Sequence, residues 1–140
     1  MPEQEKIILD THIWIWLLEQ PGILSNTIIA KINQAGRNKL VFIAAISLWE
    51  VSLLADKKRI IFKEDILTWL NKALLHPGVV LCPLTADVAS QAYKLPGQFH
   101  GDPADRMIVA TAKTESALLL TRDEEILRYA KTGHIKAILA

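Results

Sequence analysis

The chain has 140 residues, of which 51% are apolar and 22% charged, and its 16 Lys and Arg residues nearly balance 15 Asp and Glu residues. This length suits one α/β domain with its own core and is too short for two, so we expect residues 1–140 to form a single domain. A net charge of +1 excludes a uniformly basic surface, and any nucleic-acid contact would have to be local. The lone cysteine, Cys82, and the lack of an apolar run near ~18 residues predict a reduced, cytoplasmic protein that does not enter a membrane.

The predicted elements alternate between strand and helix along most of the chain. In chain order they are strand 7–9, helix 11–19, helix 26–36, strand 40–44, helix 47–58, helix 65–75, strand 79–82, helix 86–95, helix 103–115, strand 118–120, helix 123–131 and edge strand 135–139. The first strand is wholly apolar, as expected of a central strand in a parallel sheet. The alternation predicts a three-layer α/β/α sandwich with a central parallel sheet.

Capping residues set several of these boundaries. Ser25 is placed to cap the second helix and Gly36 to end it. Ser47 and Glu50 have the S-x-x-E spacing of a capping box, which would start the next helix at Ser47. Asp102 precedes a proline, a combination typical of a helix N-terminus.

Four acids are expected to meet at one edge of this sheet. Asp10 and Asp123 each follow a predicted strand, while Glu50 and Asp105 lie in the first turns of predicted helices. Ligands of open α/β sheets bind outside the carboxyl ends of the strands, where these four positions converge. Glu50 and Asp105 also share helix faces with apolar residues, an unusual place for an unpartnered acid.

Gathering carboxylates is unfavourable, because each opposes the ionisation of its neighbours unless a cation lies among them. Oxygen ligands without a Cys/His cluster favour Mg²⁺ or Mn²⁺ over zinc. One or two such ions could activate a water molecule toward a phosphodiester, which is nuclease chemistry.

Each acid also has a purely structural explanation. Glu50 could belong only to the capping box, Asp102 and Asp123 could be helix N-caps, and Asp10 could start a turn. A non-enzymatic α/β binding module therefore remains an alternative. A haloacid-dehalogenase-like phosphatase fits less well, because the second acid that its chemistry needs is replaced by His12.

Four sequence blocks resemble those of PIN-domain ribonucleases, in the order of that family. They are L-D-T-H at residues 9–12, S-L-W-E-V at 47–51, D-P-A-D-R-M-I-V-A-T-A at 102–112 and L-T-R-D at 120–123. The D-P-x-D-R start of the third block is most similar to VapC-type toxins of toxin–antitoxin pairs. The resemblance spans nearly the whole chain.

The resemblance implies a PIN-like sandwich whose acidic pocket binds Mg²⁺ or Mn²⁺ and hydrolyses RNA to 5′-phosphate and 3′-hydroxyl ends. Carried over by position, the catalytic metal-binding carboxylates are Asp10, Glu50, Asp105 and Asp123, and Thr121 is a supporting hydroxyl. Asp102 is either a further ligand or only the cap of its helix.

Partners also follow from the resemblance: an RNA substrate, a cognate antitoxin and a second copy of the chain in a homodimer. A housekeeping nuclease without an antitoxin is the other enzymatic alternative. The candidate contacts to the RNA backbone are Arg106, Arg122, His12 and His100, although the arginines could equally neutralise the acids. Helix 11–19 is apolar nearly all round and is expected to face a partner, and the four tryptophans are expected in the core or in an interface.

Overall fold

The computed structural model describes residues 4–99 and 101–140. Its strands are β1 (Ile7–Leu9), β2 (Val41–Ala44), β3 (Val79–Cys82), β4 (Leu118–Thr121) and β5 (Lys136–Leu139). Its helices are α1 (Thr11–Glu19), α2 (Asn26–Arg37), α3 (Ala45–Asp56), α4 (Ile66–Leu74), α5 (Ala86–Tyr93), α6 (Pro103–Glu115) and α7 (Glu124–Ala130), with a 3₁₀ helix at Pro21–Ile23.

The five strands form one parallel sheet in the order β3-β2-β1-β4-β5. Residues on alternate sides of each strand pack against different helix layers, as the twofold period of a strand requires. Ile7 and Leu9 pack with α1, α2 and α4, while Ile8 packs with α5, α6 and α7. The predicted three-layer sandwich and the central position of β1 are confirmed.

The predicted end of α2 is wrong: the helix runs through Gly36 to Arg37, and the left-handed residue is Lys39, with φ 58°. Near the end of this helix, Gly78 comes close to the backbone of Gly36. A Cβ built on Gly78, which has φ 88°, would lie 2.2 Å from the carbonyl oxygen of Gly36. Gly78 is therefore the glycine that this close approach requires, whereas a Cβ on Gly36 would meet nothing nearer than 3.8 Å.

The predicted capping box at Ser47 is also wrong. Helix α3 begins at Ala45, its N-cap is Ala44, and no side chain caps it. Ser47 is fully buried, and its hydroxyl lies 2.9 Å from that of Thr11 in α1. A contact between helices has taken the place of the local cap.

The apolar helix α1 is covered largely by its own chain. Ile13, Trp14 and Ile15 are buried, and the ring of Trp14 packs edge-on against that of buried Trp69. Trp49 is not a core residue, since 56% of its surface is exposed, and its expected place in an interface stays a prediction.

Helices in the described ranges all fall short of the length and apolar content that crossing a bilayer requires.

Candidate active site

Asp10 lies where β1 ends, and its buried carboxylate is held from two sides. Its Oδ1 accepts a hydrogen bond of 2.8 Å from the main-chain N–H of Thr11, so the acid also caps α1. Its Oδ2 accepts a bond of 2.6 Å from the hydroxyl of Thr121, the last residue of β4. The same Thr121 oxygen accepts a bond of 3.0 Å from the main-chain N–H of Asp123. One buried hydroxyl thus ties together the acids that follow β1 and β4.

Glu50 is positioned by two hydroxyls that the sequence did not single out. The Thr11 hydroxyl donates to its Oε1 at 2.6 Å and lies 2.9 Å from the Ser47 hydroxyl. Because Thr11 has a single proton to donate, Ser47 must donate to Thr11 in this arrangement. Thr11 directly follows Asp10, so both acids are held by neighbouring residues of one segment.

Asp102 and Asp105 stand together in the first turn of α6. Asp102 is the helix N-cap, because its Oδ1 accepts a bond of 2.8 Å from the main-chain N–H of Asp105. Asp102 is exposed and Asp105 is half-buried. Asp123 likewise caps α7 through the N–H groups of Glu125 and Ile126. Asp102 and Asp123 therefore cap their helices and also lie beside the other acids.

Electrostatics show that the acids share one environment. Burial is the largest cause that raises the pKa of Asp105 to about 7. The charges that add to this effect are, in falling order, those of Asp102, Asp10, Asp123 and Glu50. Burial also raises the pKa of Asp10, against the lowering effect of its hydrogen bonds from Thr121 and Thr11. The pKa of Glu50 is raised by burial and by the charges of Asp10 and Asp102.

The donor set fits a hydrated hard cation. Within residues 4–99 and 101–140, no three His, Cys, Asp or Glu side chains are close enough to ligate one ion together. Mg²⁺ usually keeps several water ligands and is bound through only one or two carboxylates. A cation would also remove the mutual repulsion that raises the pKa values of these acids. The site therefore suits an ion held partly through water.

The two arginines beside the acids bind main-chain carbonyls. Three of the five N–H groups of Arg106 are used in this way, which leaves two for the RNA contact predicted from sequence. Arg122 donates to the carbonyl oxygens of Ala140 and Ile23 at 2.5 and 2.7 Å, and its guanidinium lies 4.8 Å from the ring centre of Trp16.

Of the two histidines predicted to contact RNA, only His12 lies among the described residues. His12 is exposed, and its ring lies 5.7 Å from that of Trp16. His100 lies outside the described residues. RNA contacts of all four basic residues stay predictions.

Comparisons with known proteins place the chain in a family. Residues 7–132 match the family model of the PIN domain. Ribonuclease VapC22 of Mycobacterium tuberculosis is 36% identical over 120 residues, which cover 86% of this chain and 88% of that relative. The fold is similar to that in a structure of VapBC2 from Rickettsia felis bound to a promoter DNA fragment, with TM-score 0.70, 17% identity and 95% and 97% of the two chains covered. A structure of DNA-bound VapBC from Salmonella typhimurium gives TM-score 0.69, 16% identity and coverage of 96% and 98%.

Proposed function

The chain belongs to the PIN-domain family, and from this membership we propose that it is a Mg²⁺- or Mn²⁺-dependent endoribonuclease, the toxin of a toxin–antitoxin pair. The observation that carries the proposal is the shared electrostatic environment of acids from separate elements. The charges of Asp10, Glu50 and Asp123 all act on Asp105 at the carboxyl edge of the sheet. Because each carboxylate opposes the ionisation of its neighbours, this grouping of acids is unfavourable unless a cation lies among them.

The acids Asp10, Glu50, Asp105 and Asp123 would hold the metal, one or two of them directly and the others through water molecules. When bound, the ion supplies activation of water and stabilisation of the charge on the phosphodiester. Thr121 and Thr11 keep Asp10 and Glu50 oriented through bonds of 2.6 Å. The burial of Asp10 limits competing water around its carboxylate, which strengthens its interaction with charge.

A groove in the helix layer of α1, α2 and α4 is our candidate binding site for an antitoxin partner. A cavity of about 570 Å³ lies between α1, α2 and α4, and Leu17, Leu18, Ile32 and Ala73 are among its lining residues. Asn33, Arg37 and His76 also line it, so the cavity suits an amphipathic segment of a partner protein. We also propose that the protein forms a homodimer, in line with the family resemblance. The unpaired cysteine Cys82 supports a reducing compartment, and we propose the cytoplasm.

RNA cleavage tests the proposed activity. Purified protein should cut end-labelled single-stranded RNA with Mn²⁺ or Mg²⁺, and EDTA should stop the reaction. Asp10→Asn should lower the rate by about 100-fold or more, the upper end of what loss of a supporting partner costs a metal site. Asp87→Asn is the matched control, because Asp87 is an exposed acid bonded to Gln91 on α5. Cleavage that survives EDTA, or equal cleavage by Asp10→Asn, would contradict the proposal.

A further inference from the structure

Arg106 stands in the first turn of α6 beside Asp105, yet its guanidinium is bound to the main chain. Its Nε donates to the carbonyl oxygen of Ala92 at 2.8 Å, and its Nη2 donates to that of Tyr93 at 3.0 Å. These are the last two residues of α5, where helix carbonyls lack partners within the helix. Its Nη1 donates to the carbonyl oxygen of Phe99 at 2.7 Å. One side chain thus joins the end of α5, the following segment and the start of α6.

A second side chain holds the same segment from α7. The Tyr129 hydroxyl donates to the carbonyl oxygen of Pro96 at 2.6 Å. Its buried ring lies 5.1 Å from the ring of Phe99, which is itself buried. Residues 95–99 are therefore fixed at Pro96 and at Phe99 by two different helices.

Gly101 lies between the Phe99 ring of this segment and Asp105. A Cβ built on Gly101 would lie 2.4 Å from the Phe99 ring and 3.0 Å from the Cβ of Asp105. The ring and the acid thus flank one glycine with no room for a side chain. The main-chain N–H of Asp105 is held by Asp102 at 2.8 Å, and its Cβ lies next to Gly101, so a shift of the segment that carries Phe99 would alter the packing beside this acid.

We propose that Arg106 is a positioning residue, which holds residues 95–99 against α6 and so fixes Asp105 for metal binding, with Tyr129 as the second support. The inference rests on the proposed function of the acids as a metal site. It assigns Arg106 to the architecture of the site rather than to a phosphate of the RNA.

Mn²⁺ binding separates positioning from a simple charge effect. Arg106→Gln removes a positive charge beside the acids. Because this charge repels Mn²⁺, its loss alone would tighten Mn²⁺ binding. Positioning predicts the opposite: the Kd for Mn²⁺, measured by calorimetry, should rise about tenfold, as for other partners that orient metal ligands. Tyr129→Phe, which removes one hydroxyl, should shift the Kd in the same direction by less. Arg128→Gln, a surface arginine paired with Glu125, is the matched control and should leave the Kd unchanged.

The outcomes are distinguishable. If the wild type binds Mn²⁺ but both folded variants bind it equally well or more tightly, the positioning role is overturned while the metal site stands. If Arg106→Gln raises only the KM for RNA, the residue contacts RNA, and the proposal is likewise overturned. If Arg106→Gln does not fold, the Kd of Tyr129→Phe decides. A wild type that binds Mn²⁺ without cutting RNA would refute the proposed activity alone, and one that binds no Mn²⁺ would refute both.

Discussion

The hydroxyls of Thr11 and Thr121 each donate to one carboxylate of the site, at 2.6 Å in both cases. Both threonines are almost fully buried, with 1% and 0% of their surfaces exposed. Water therefore cannot replace either donor without local opening. Leaving a buried polar group without its partner costs about 1–3 kcal/mol, so these hydroxyls matter for stability and for the shape of the site.

Thr121→Val should expose this contribution, because valine has nearly the same shape but cannot donate. We expect the free energy of unfolding to fall by about 1–3 kcal/mol in urea titrations, and RNA cleavage to slow. Thr121→Ser, which keeps the hydroxyl, is the control and should retain most of the cleavage rate. Full activity in Thr121→Val would show that Asp10 needs no support from β4.

Asp105 should make stability depend on pH in the absence of metal. Its pKa is about 7 in the folded chain against an ordinary value of 3.8. Between these values the unfolded chain has lost a proton that the folded chain keeps, so rising pH favours unfolding. Asp105→Asn removes this effect. In EDTA, the variant should therefore be more stable than the wild type at pH 8, and this gain should disappear near pH 4. A gain that does not change with pH would contradict the burial of an ionisable acid.

Asp102 can be tested separately as a cap and as an acid. Asp102→Ser keeps a side-chain oxygen for the N–H of Asp105 and removes the charge. If Asp102 is only a cap, the variant should melt within a few degrees of the wild type, and its Kd for Mn²⁺ should rise by well under tenfold, through loss of a nearby negative charge alone. Asp102→Ala should lower stability by about 1 kcal/mol through loss of the cap. A rise of about tenfold or more in the Kd of Asp102→Ser would instead make this acid part of the metal site.

Among the elements, helix starts with a local cap could be predicted from sequence. Ser25, Thr85 and Asp102 each accept a bond from the N–H three residues on, within a single turn. Such contacts depend only on nearby residues, so the sequence pattern is enough. The prediction of a cap at Ser47 was wrong because its hydroxyl bonds to that of Thr11, 36 residues away in the chain. No local spacing carries that contact.

The packing of Gly78 against Gly36 likewise could not be predicted from sequence. Their close approach brings the start of β3 against the end of α2, and the sequence shows only two scattered glycines. Gly78→Ala should destabilise the protein by about 1–3 kcal/mol or more, because its Cβ would meet the Gly36 backbone and its φ is positive. Gly22→Ala is the matched control, since a Cβ there meets nothing within 4 Å, and its stability should change by less than about 0.5 kcal/mol. Thermal melts of both variants measure the difference.

For the whole molecule, the parallel sheet brings the acids together although they lie far apart in sequence. The central place of β1, the last strand at an edge and the carboxyl edge of the sheet could be predicted from the sequence, and with them the expected convergence of Asp10, Glu50, Asp105 and Asp123, but the full strand order was not predicted. Two features could not be predicted: the hydroxyls that bind the acids, and the segment that Arg106 holds. Both depend on contacts between elements that are distant in the chain. The single-domain boundary at residues 1–140 stays a prediction.

The central claim is that the acids at this sheet edge bind a divalent metal, and calorimetric titration of Mn²⁺ into metal-free protein at pH 8 tests it most directly. We predict saturable binding to the wild type and to Asp87→Asn, with binding weakened by at least about tenfold in Asp10→Asn and in Asp105→Asn. No saturable binding to the wild type, or binding that neither Asp10→Asn nor Asp105→Asn weakens, would contradict the claim.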